Sequence, residues 1–282
     1  MRIIFYILIC LIQSNVLFGQ FYYHDILSTQ ETNRDHRLFM INKVKKMIIH
    51  SLNPDQTVNH NFLCEESFHE DYHKMTVITK SNQTGQSQLT SYYNGNGQVV
   101  RSVDSSISSI DISSYFYDST GKIKEIKFKS SSGNRSDQSN FSEDHIYTYD
   151  TGGKLLMMYR IENNSPFSKV KFICDSAGQV IEEKEIISGK ARPSIFYKYN
   201  NLEKLTDIYS YNGASGIMRA ENMFDYNSQG TLIKSTIVLS DTKGYNIWKY
   251  FYSENNLISK EECFDQGKEL IGIMLYFYTY KL

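Results

Sequence analysis

A short segment with the pattern of strand, turn and strand recurs along most of this chain, and it constrains the fold more than any other feature of the sequence. Within residues 115–123, Tyr115 and Tyr117 are two positions apart and so share one face of a strand. Asp118 opens a tight turn, and Gly121 closes it where the backbone needs a positive φ angle. The residues that follow begin a return strand. The segment therefore predicts an antiparallel β-hairpin.

The hairpin unit returns about every 25 residues, a period that corresponds to two strands and two turns. The first positions of successive units are residues 93, 117, 149, 174, 199, 226 and 252. The opposite ends of the hairpins vary far more in length and comprise residues 130–144, 162–168, 188–193, 212–216, 240–244 and 265–268. Because rigid sheets carry function on their loops, these variable loops are where we expect a partner to bind.

The side chains of the turn explain why the spacing is regular. An Asp or Asn at the first turn position accepts hydrogen bonds from the backbone ahead of it, and a glycine takes the left-handed conformation at the last position. Asn256 stands in the glycine position of its unit and tolerates this conformation. Glu203 stands in the same position of the unit that begins at Tyr199, where a left-handed backbone is costly. We therefore expect a different turn in that unit.

Pairs of aromatic residues two positions apart predict a ladder along one face of the sheet. The pairs are Tyr115/Tyr117, Tyr147/Tyr149, Tyr197/Tyr199, Phe224/Tyr226, Tyr250/Tyr252 and Tyr278/Tyr280. Return strands such as residues 122–129 carry charge on both faces. A lipid-facing barrel needs an apolar outer face, so this pattern argues against one.

The balance of charge and the cysteine count exclude several classes of protein. The 30 Lys and Arg residues against 31 Asp and Glu residues give no support to a nucleic-acid binder or a polybasic membrane-surface protein. Cys64, Cys174 and Cys263 remain after the N-terminal segment, and an odd number without close pairing is not a disulfide framework. Nothing in the composition implies a cofactor.

Residues 1–19 have the pattern of a secretory leader. Arg2 supplies the positive start, residues 3–12 form an apolar run, and the expected cut lies before Gln20. The apolar run is too short to cross a bilayer. We therefore expect an exported protein, in the periplasm, on the outer surface or outside the cell, whose mature chain has no transmembrane span.

Residues 25–53 are predicted to form the one helix of the chain. A capping box of Ser28 and Glu31 can start it, although a start near Asn33 fits equally well. Pro54 marks its end, and its apolar stripe consists of Leu38, Ile41, Val44, Ile48 and Leu52. We expect this helix to cap the first open edge of a repeat array, and contact with a membrane is the alternative.

The segment that connects helix and repeats contains a candidate metal site. His69 and His73 are four positions apart and would face the same way in a helix, with Cys64 as a third ligand. The segment is rich in Glu and Asp and lacks the ligand spacing of a known zinc class. Solvent-exposed histidines are the alternative, and we predict no metal here.

Motifs of enzymes are missing from the sequence. It has no Gly-x-Ser-x-Gly elbow, no phosphate-binding loop and no dinucleotide fingerprint. Glu183 and Glu261 each belong to a glutamate pair on a strand, where neighbours point to opposite faces. We interpret both pairs as solvated charges rather than as an acid and base for sugar hydrolysis.

One aromatic cluster is a candidate binding surface. Trp248 is the only tryptophan, and it shares a strand face with Tyr250 and Tyr252. Its indole could stack on a sugar ring, although an aromatic residue in such a ladder is more often part of a core.

The repeated Tyr-Asp-x-x-Gly units resemble the tyrosine–aspartate (YD) repeats of the Rhs type, which occur in bacterial secreted and cell-surface proteins. The resemblance covers residues 75–282, and the units from Tyr117, Tyr149 and Cys174 keep both Asp and Gly. It implies hairpins joined into a curling antiparallel sheet, which can wind into a shell around cargo or act as a binding scaffold. With so few units, we expect a short form without a toxin domain: an all-β curled meander sheet or partial barrel with an N-terminal helical cap.

The sequence therefore divides into a leader (1–19), a helical cap (20–57), a connecting segment (58–74) and the hairpin repeats (75–282). We expect a non-enzymatic binding or structural protein of the cell envelope, whose partner is an unidentified protein or glycan. Two alternatives stay open. A carbohydrate- or lipid-binding shell would use the aromatic face as its pocket wall, and a glycan-directed hydrolase would have carboxylates that converge only in the fold.

Overall fold

The computed structural model describes residues 21–82, 84–132, 139–213, 216–239 and 244–282 of the chain. The predicted leader, residues 1–19, lies outside the described residues. The described chain begins with one helix, α1 (Tyr23–Ile41), and continues in strands. The strands are β1 (Val44–Leu52), β2 (Phe62–Phe68), β3 (Lys74–Ser81), β4 (Gly85–Tyr93), β5 (Val99–Ser105), β6 (Ser109–Tyr117), β7 (Ile123–Ser132), β8 (Ser139–Tyr149), β9 (Leu155–Glu162), β10 (Ser165–Cys174), β11 (Val180–Ile187), β12 (Lys190–Ala191), β13 (Ser194–Tyr199), β14 (Leu205–Asn212), β15 (Ile217–Tyr226), β16 (Leu232–Val238), β17 (Tyr245–Tyr252), β18 (Ile258–Phe264) and β19 (Leu270–Tyr280).

The strands form a single antiparallel meander that closes on itself. Strands β12 and β13 share one edge of β11, and every other strand pairs with the next along the chain. The last strand, β19, pairs with β1, which pairs with β2 on its other side. The wall is therefore a closed 18-stranded barrel. The expected all-β fold with an N-terminal helix is confirmed, and the sheet is closed where we expected an open sheet or a partial barrel.

The two ends of the barrel differ. The tight turns of the repeat units lie together at one end, called the turn end below, and comprise residues 94–97, 118–121, 150–153, 175–178, 200–203, 227–230 and 253–256. The opposite end, called the loop end below, carries more varied connections, including residues 53–61, 106–108, 188–193 and 265–269. Other parts of the predicted variable loops, residues 133–138, 214–215 and 240–243, lie outside the described residues.

The predicted helix over residues 25–53 is wrong in its second half. Helix α1 ends at Ile41, where the Asn42 N–H donates to the Leu38 carbonyl and Lys43 turns the chain with a φ of 54°. Residues 44–52 form β1 instead. Pairing with both β2 and β19 gives this segment more hydrogen bonds and burial than one helical face would, so tertiary contacts override the helical spacing of its apolar residues.

The turn chemistry predicted for the hairpin unit is confirmed. Asp118 Oδ1 accepts the N–H of Thr120 at 2.8 Å and the N–H of Lys122 at 3.0 Å. Gly121 closes the turn with a φ of 84°, and Asn256 takes the place of glycine with a φ of 60°. These side-chain bonds fix the reversal of the chain locally.

The expectation of a different turn at Glu203 is wrong. Glu203 adopts a φ of 57°, and the Asn200 N–H donates to the Lys204 carbonyl as in the other units. A left-handed residue costs roughly 1–2 kcal/mol. Asn200 Oδ1 still accepts backbone N–H groups from Lys204 and Leu202, and the Glu203 carbonyl accepts a bond from Gln179 Nε2 at 3.1 Å. The bonds around the turn outweigh the local strain.

In four of the units, the tyrosine that opens the unit ties that hairpin to the preceding one. Tyr117 Oη donates to the Val99 carbonyl at 2.7 Å, and Tyr149 Oη donates to the Ile123 carbonyl at 2.6 Å. The same bond joins Tyr199 to Val180 and Tyr226 to Leu205, and Tyr278 on the last strand donates in the same way to Ile258. Each acceptor is the first residue of a return strand. The tyrosine hydroxyls therefore set the distance between successive turns.

The wall has an inner face of buried side chains and an outer face of exposed ones. On β1, Met47, Ile49 and Ser51 are buried and alternate with more exposed neighbours. The aromatic pairs lie on the inner face, where Tyr147 and Tyr197 are buried, which confirms the predicted ladder. Within the described part of the chain, no helix combines the length and apolar character needed to cross a membrane.

Candidate functional site

Helix α1 lies against the inner face at the turn end and connects two separate apolar clusters. Its first residues pack with the cluster on β7 to β14, in which Ile26 is buried. Leu38 and Phe39, near its C-terminus, pack against the cluster on β1 to β5 and β17 to β19. A helix of 19 residues is about 28 Å long, enough to reach from one cluster to the other. The helix is thus a brace within the barrel mouth rather than a cap on a sheet edge.

The middle and C-terminal part of α1 is held by specific polar and aromatic contacts. Asn33 Oδ1 accepts the backbone N–H of Val99 at 2.8 Å. The His36 ring stacks on Tyr93 with 3.6 Å between ring centroids, and its Nε2 donates to the Tyr72 carbonyl at 2.8 Å. Burial lowers the pKa of His36, so the ring is neutral and can stack closely on Tyr93.

The start of α1 is capped by a glutamate from a distant strand. Glu183 on β11 accepts the Tyr22 N–H at 3.0 Å on one oxygen and the Tyr23 N–H at 2.8 Å on the other. Both N–H groups belong to the helix start, where no carbonyl within the helix can accept them. Burial raises the pKa of Glu183 to about 8, against the opposing effect of these two bonds. Burial favours the neutral carboxyl group of Glu183, and the two N–H bonds favour its carboxylate form.

A buried histidine links α1 to the wall. His145 on β8 donates from Nδ1 to Asp25 at 2.6 Å and from Nε2 to Glu143 at 2.7 Å. Tyr147 also donates to Asp25, at 2.7 Å. Burial alone would lower the pKa of His145, but the charges and hydrogen bonds of Asp25 and Glu143 raise it to about 9. The ring is therefore an imidazolium between two carboxylates, whose pKa values it holds below the usual range despite their burial.

An arginine extends this ionic network along the inner face. The Nη2 atom of Arg160 on β9 lies 2.7 Å from Oε2 of Glu143 and 2.5 Å from Oε1 of Glu162. The Nη1 of Arg160 donates to Tyr22 Oη at 3.2 Å, and Tyr22 Oη donates to Glu185 at 2.7 Å. One network therefore joins the helix start to β8, β9 and β11.

The geometry of this network suits a structural role, in which it holds α1 against the wall, rather than catalysis. Both ring nitrogens of His145 are bonded to carboxylates, so neither is free to take a proton from a substrate. Arg160 is likewise engaged with Glu143 and Glu162. Removing one partner from a buried charge pair costs about 3–5 kcal/mol, so the network fixes α1 in its position.

The predicted binding cluster lies inside the barrel. Trp248 is 4 % exposed and Tyr250 is 6 % exposed, while Tyr252 is half-buried nearer the turn end. The Tyr250 hydroxyl is 2.8 Å from the Ser235 hydroxyl of the neighbouring strand. The three aromatics share the inner face as expected, but the indole of Trp248 has almost no free surface on which a sugar could stack.

The structure does not bring the candidate metal ligands together. Residues 62–81 form the hairpin of β2 and β3, so His69 and His73 lie in an exposed turn and not on one face of a helix. His69 is paired with Asp71 at 2.8 Å. Cys64 is buried on the inner face of β2. Among the described residues, no group of three or more His, Cys, Asp or Glu side chains has the arrangement of a metal site.

Sequence reasoning missed the carboxylates of the inner face. We interpreted Glu183 and Glu261 as solvated, yet they are 2 % and 4 % exposed. Burial raises the pKa of Glu261 to about 7, and burial with the charge of Asp35 raises that of Glu66 to about 8. Strand alternation already placed one member of each glutamate pair on the inner face. The sequence gives no sign of which partners lie there, because they come from other strands and from α1.

Comparisons with known proteins give little guidance. No protein-family model matches the chain, and no curated protein matches it. Among solved structures, it is similar to a porin-like protein from Bacteroides uniformis, with a TM-score of 0.38 and 6 % identity over 84 % of this chain and 98 % of that one. A protein with a YmcC-like fold from Bacteroides fragilis gives a TM-score of 0.19 and 7 % identity over 83 % and 95 % of the two chains. Similarities this weak support no conclusion about fold or function.

Proposed function

We propose that this chain is an exported, non-enzymatic binding or structural protein of the cell envelope, which presents a partner-binding surface at the loop end of its barrel. The observation that carries the proposal is the difference between the two ends. Tight turns and α1 fill the turn end. The loop end offers irregular backbone on a rigid wall, where binding residues usually lie, and Ile107 there is 90 % exposed.

The polar side chains of the outer face support the proposal that the outside of the barrel is in contact with water. Lysines lie at outer-face positions on many strands: Lys46, Lys74, Lys80, Lys127, Lys129, Lys169, Lys171, Lys184, Lys198, Lys234, Lys249 and Lys260. Several of them cover outward aromatic rings. The ammonium group of Lys260 is 4.1 Å from the ring centroid of Phe251, and that of Lys249 is 4.5 Å from Phe264. A lipid-facing wall would have to be apolar at these positions.

The lack of catalytic activity is inferred from the state of the reactive side chains. Burial raises the pKa values of the Cys64 and Cys263 thiols to about 12, so neither is a ready nucleophile. His145 has both ring nitrogens bonded to carboxylates. These groups stabilise the barrel and leave binding as the activity that the geometry supports best.

We also propose that the hairpins are a short form of YD-type repeat. The support comes from the roles of the two defining residues. The tyrosine hydroxyl of one unit donates to the backbone of the preceding unit, as in Tyr117 to Val99, and Asp118 holds its own turn. Tyr and Asp would recur in each unit because these two bonds have to be made once per hairpin.

Export and partner binding can be tested in the native cells with the full chain. Export predicts that the mature protein begins at Gln20 and leaves the cytoplasm, which N-terminal sequencing of cell fractions would determine. A photo-crosslinking residue at Ile107 in the loop end should form a defined adduct. The matched control is Leu202, which is 50 % exposed in a turn at the opposite end. Adducts from Leu202 alone, or an uncleaved chain that stays in the cytoplasm, would contradict the proposal.

A further inference from the structure

Charge is distributed unequally between the two faces of the wall. The outer face carries lysines with carboxylates between them, such as the Lys46–Glu65 pair at 2.7 Å. The inner face is rich in carboxylates: Glu66, Asp104, Asp111, Glu143, Glu162, Glu183, Glu185 and Glu261. Glu143, Glu162, Glu183 and Glu185 are neutralised by His145 and Arg160 or bonded to backbone N–H groups. A cavity with walls of one sign concentrates ions of the opposite sign.

Two other inner-face carboxylates, Asp104 and Asp111, have buried oxygens without a hydrogen-bond partner among the described residues. Asp104 on β5 and Asp111 on β6 face each other directly in the register of their strands. Residues opposite each other in an antiparallel pair have Cβ atoms about 4.5–5.5 Å apart, so the two carboxyl groups are neighbours. Asp104 lies next to the end of its strand, so the pair belongs to the half of the barrel that leads to the loop end.

The pair lacks the partners that buried carboxylates need. Asp104 is only 8 % exposed, and Oδ1 of Asp104 and Oδ1 of Asp111 are both buried without a hydrogen-bond partner among the described residues. Burial and the charge of Asp111 raise the pKa of Asp104 to about 6. Two carboxyl groups therefore face each other, and each has a buried oxygen without a hydrogen-bond partner among the described residues. A buried charge is costly unless it is paired or coordinates a metal.

The neighbouring side chains on the same face supply further oxygen atoms. Ser130 on β7 is directly opposite Asp111, and Ser102 and Ser113 face each other one inner-face step nearer the turn end. The donor set is thus made of carboxylate and hydroxyl oxygens without nitrogen or sulfur. Hard cations such as Ca²⁺ prefer oxygen ligands and tolerate irregular geometry, with water completing the shell.

We propose that Asp104 and Asp111, together with the Ser130 hydroxyl, bind a hard divalent cation, of which Ca²⁺ fits the donor set best. The cation supplies the positive charge that His145 and Arg160 supply near α1. It joins β5, β6 and β7 next to their loop-end connections and so stiffens that part of the wall. This site does not depend on the proposed export or partner binding.

The test measures the thermal unfolding midpoint of the chelator-treated mature protein. KCl is used to keep the ionic strength constant. At about 100 times the dissociation constant, Ca²⁺ should raise the midpoint by roughly 5–10 °C. Asp104→Asn and Asp111→Asn should lose this rise. Both variants are expected to fold, since each removes like-charge repulsion. Asp225→Asn, which removes an outer-face aspartate paired with Lys234, should keep it.

Each other outcome overturns the proposal. If 1,4-diaminobutane raises the midpoint and Ca²⁺ does not, the pair recognises an organic amine and not a hard cation. Suppose instead that no cation raises the midpoint. If wild type then loses stability as the pH rises through about 6 and Asp104→Asn does not, the two carboxyl groups share a proton. An equal Ca²⁺ response in Asp104→Asn and Asp225→Asn would place the cation elsewhere.

Discussion

The link between α1 and the wall through His145 allows a quantitative prediction. His145→Gln removes the positive charge between Asp25 and Glu143 and leaves an amide that can donate to only one of them. Breaking a buried charge pair in this way costs about 3–5 kcal/mol. Tyr147 and Arg160 still bond to the two carboxylates, so we expect a loss near the lower end of that range at pH 6.

The pH dependence of this loss follows from the direction of the pKa shift. The pKa of His145 rises from its ordinary value of 6.5 to about 9 on folding, so its contribution to stability is complete below pH 6.5 and disappears as the pH rises through 9. At about 1.36 kcal/mol per pKa unit, the contribution is roughly 3.4 kcal/mol. The difference in stability between wild type and His145→Gln should therefore shrink by about 3 kcal/mol between pH 6 and pH 9.5.

Urea unfolding followed by the fluorescence of Trp248 measures this difference directly. Trp248 is the only tryptophan and is buried, so its emission reports the loss of the inner face. Buried carboxylates that do not contact His145, such as Glu66 and Glu261, contribute equally to both proteins and cancel in the comparison. His60→Gln, at an exposed loop position, is the control and should match wild type at every pH. A difference between wild type and His145→Gln that stays constant from pH 6 to pH 9.5 would refute the reasoning.

Three further predictions concern the repeats and the thiols. Tyr149→Phe should cost about 0.5–1.5 kcal/mol in urea unfolding because it removes one inter-hairpin bond, whereas Tyr92→Phe on the outer face should cost almost nothing. Glu203→Gly should raise stability by up to about 1 kcal/mol by relieving the left-handed backbone, and a loss would show that the Glu203 side chain itself supports the turn. Cys64 and Cys263 should stay unreactive toward a disulfide reagent at pH 8 until urea unfolds the protein.

The parts of the fold that depend on local chemistry could be predicted from the sequence. The turn at Asp118 and Gly121 depends on bonds within five residues, and the shared face of Tyr115 and Tyr117 depends only on strand alternation. The same local reasoning fails at Glu203, because the bonds that hold its turn include one from Gln179, 24 residues away.

The ionic network could not be predicted, because its members are far apart in the sequence. Asp25 and His145 are separated by 120 residues, and Tyr22 and Glu183 by 161. Each residue alone looks like an ordinary surface charge or a helix position. Only the closed barrel places them together, and closure was itself the feature that the sequence did not show.

Closure depends on a segment whose apolar pattern fits two structures. Val44 and Ile48 continue the helical stripe that begins at Leu38, yet Met47, Ile49 and Ser51 also alternate as a strand does. An array of hairpins leaves two unpaired edges, and each edge exposes backbone donors and acceptors. A helix can cover only one such edge, whereas a strand between β2 and β19 removes both. The edge problem that suggested a helical cap is therefore solved by β1, which leaves α1 free to brace the barrel from inside.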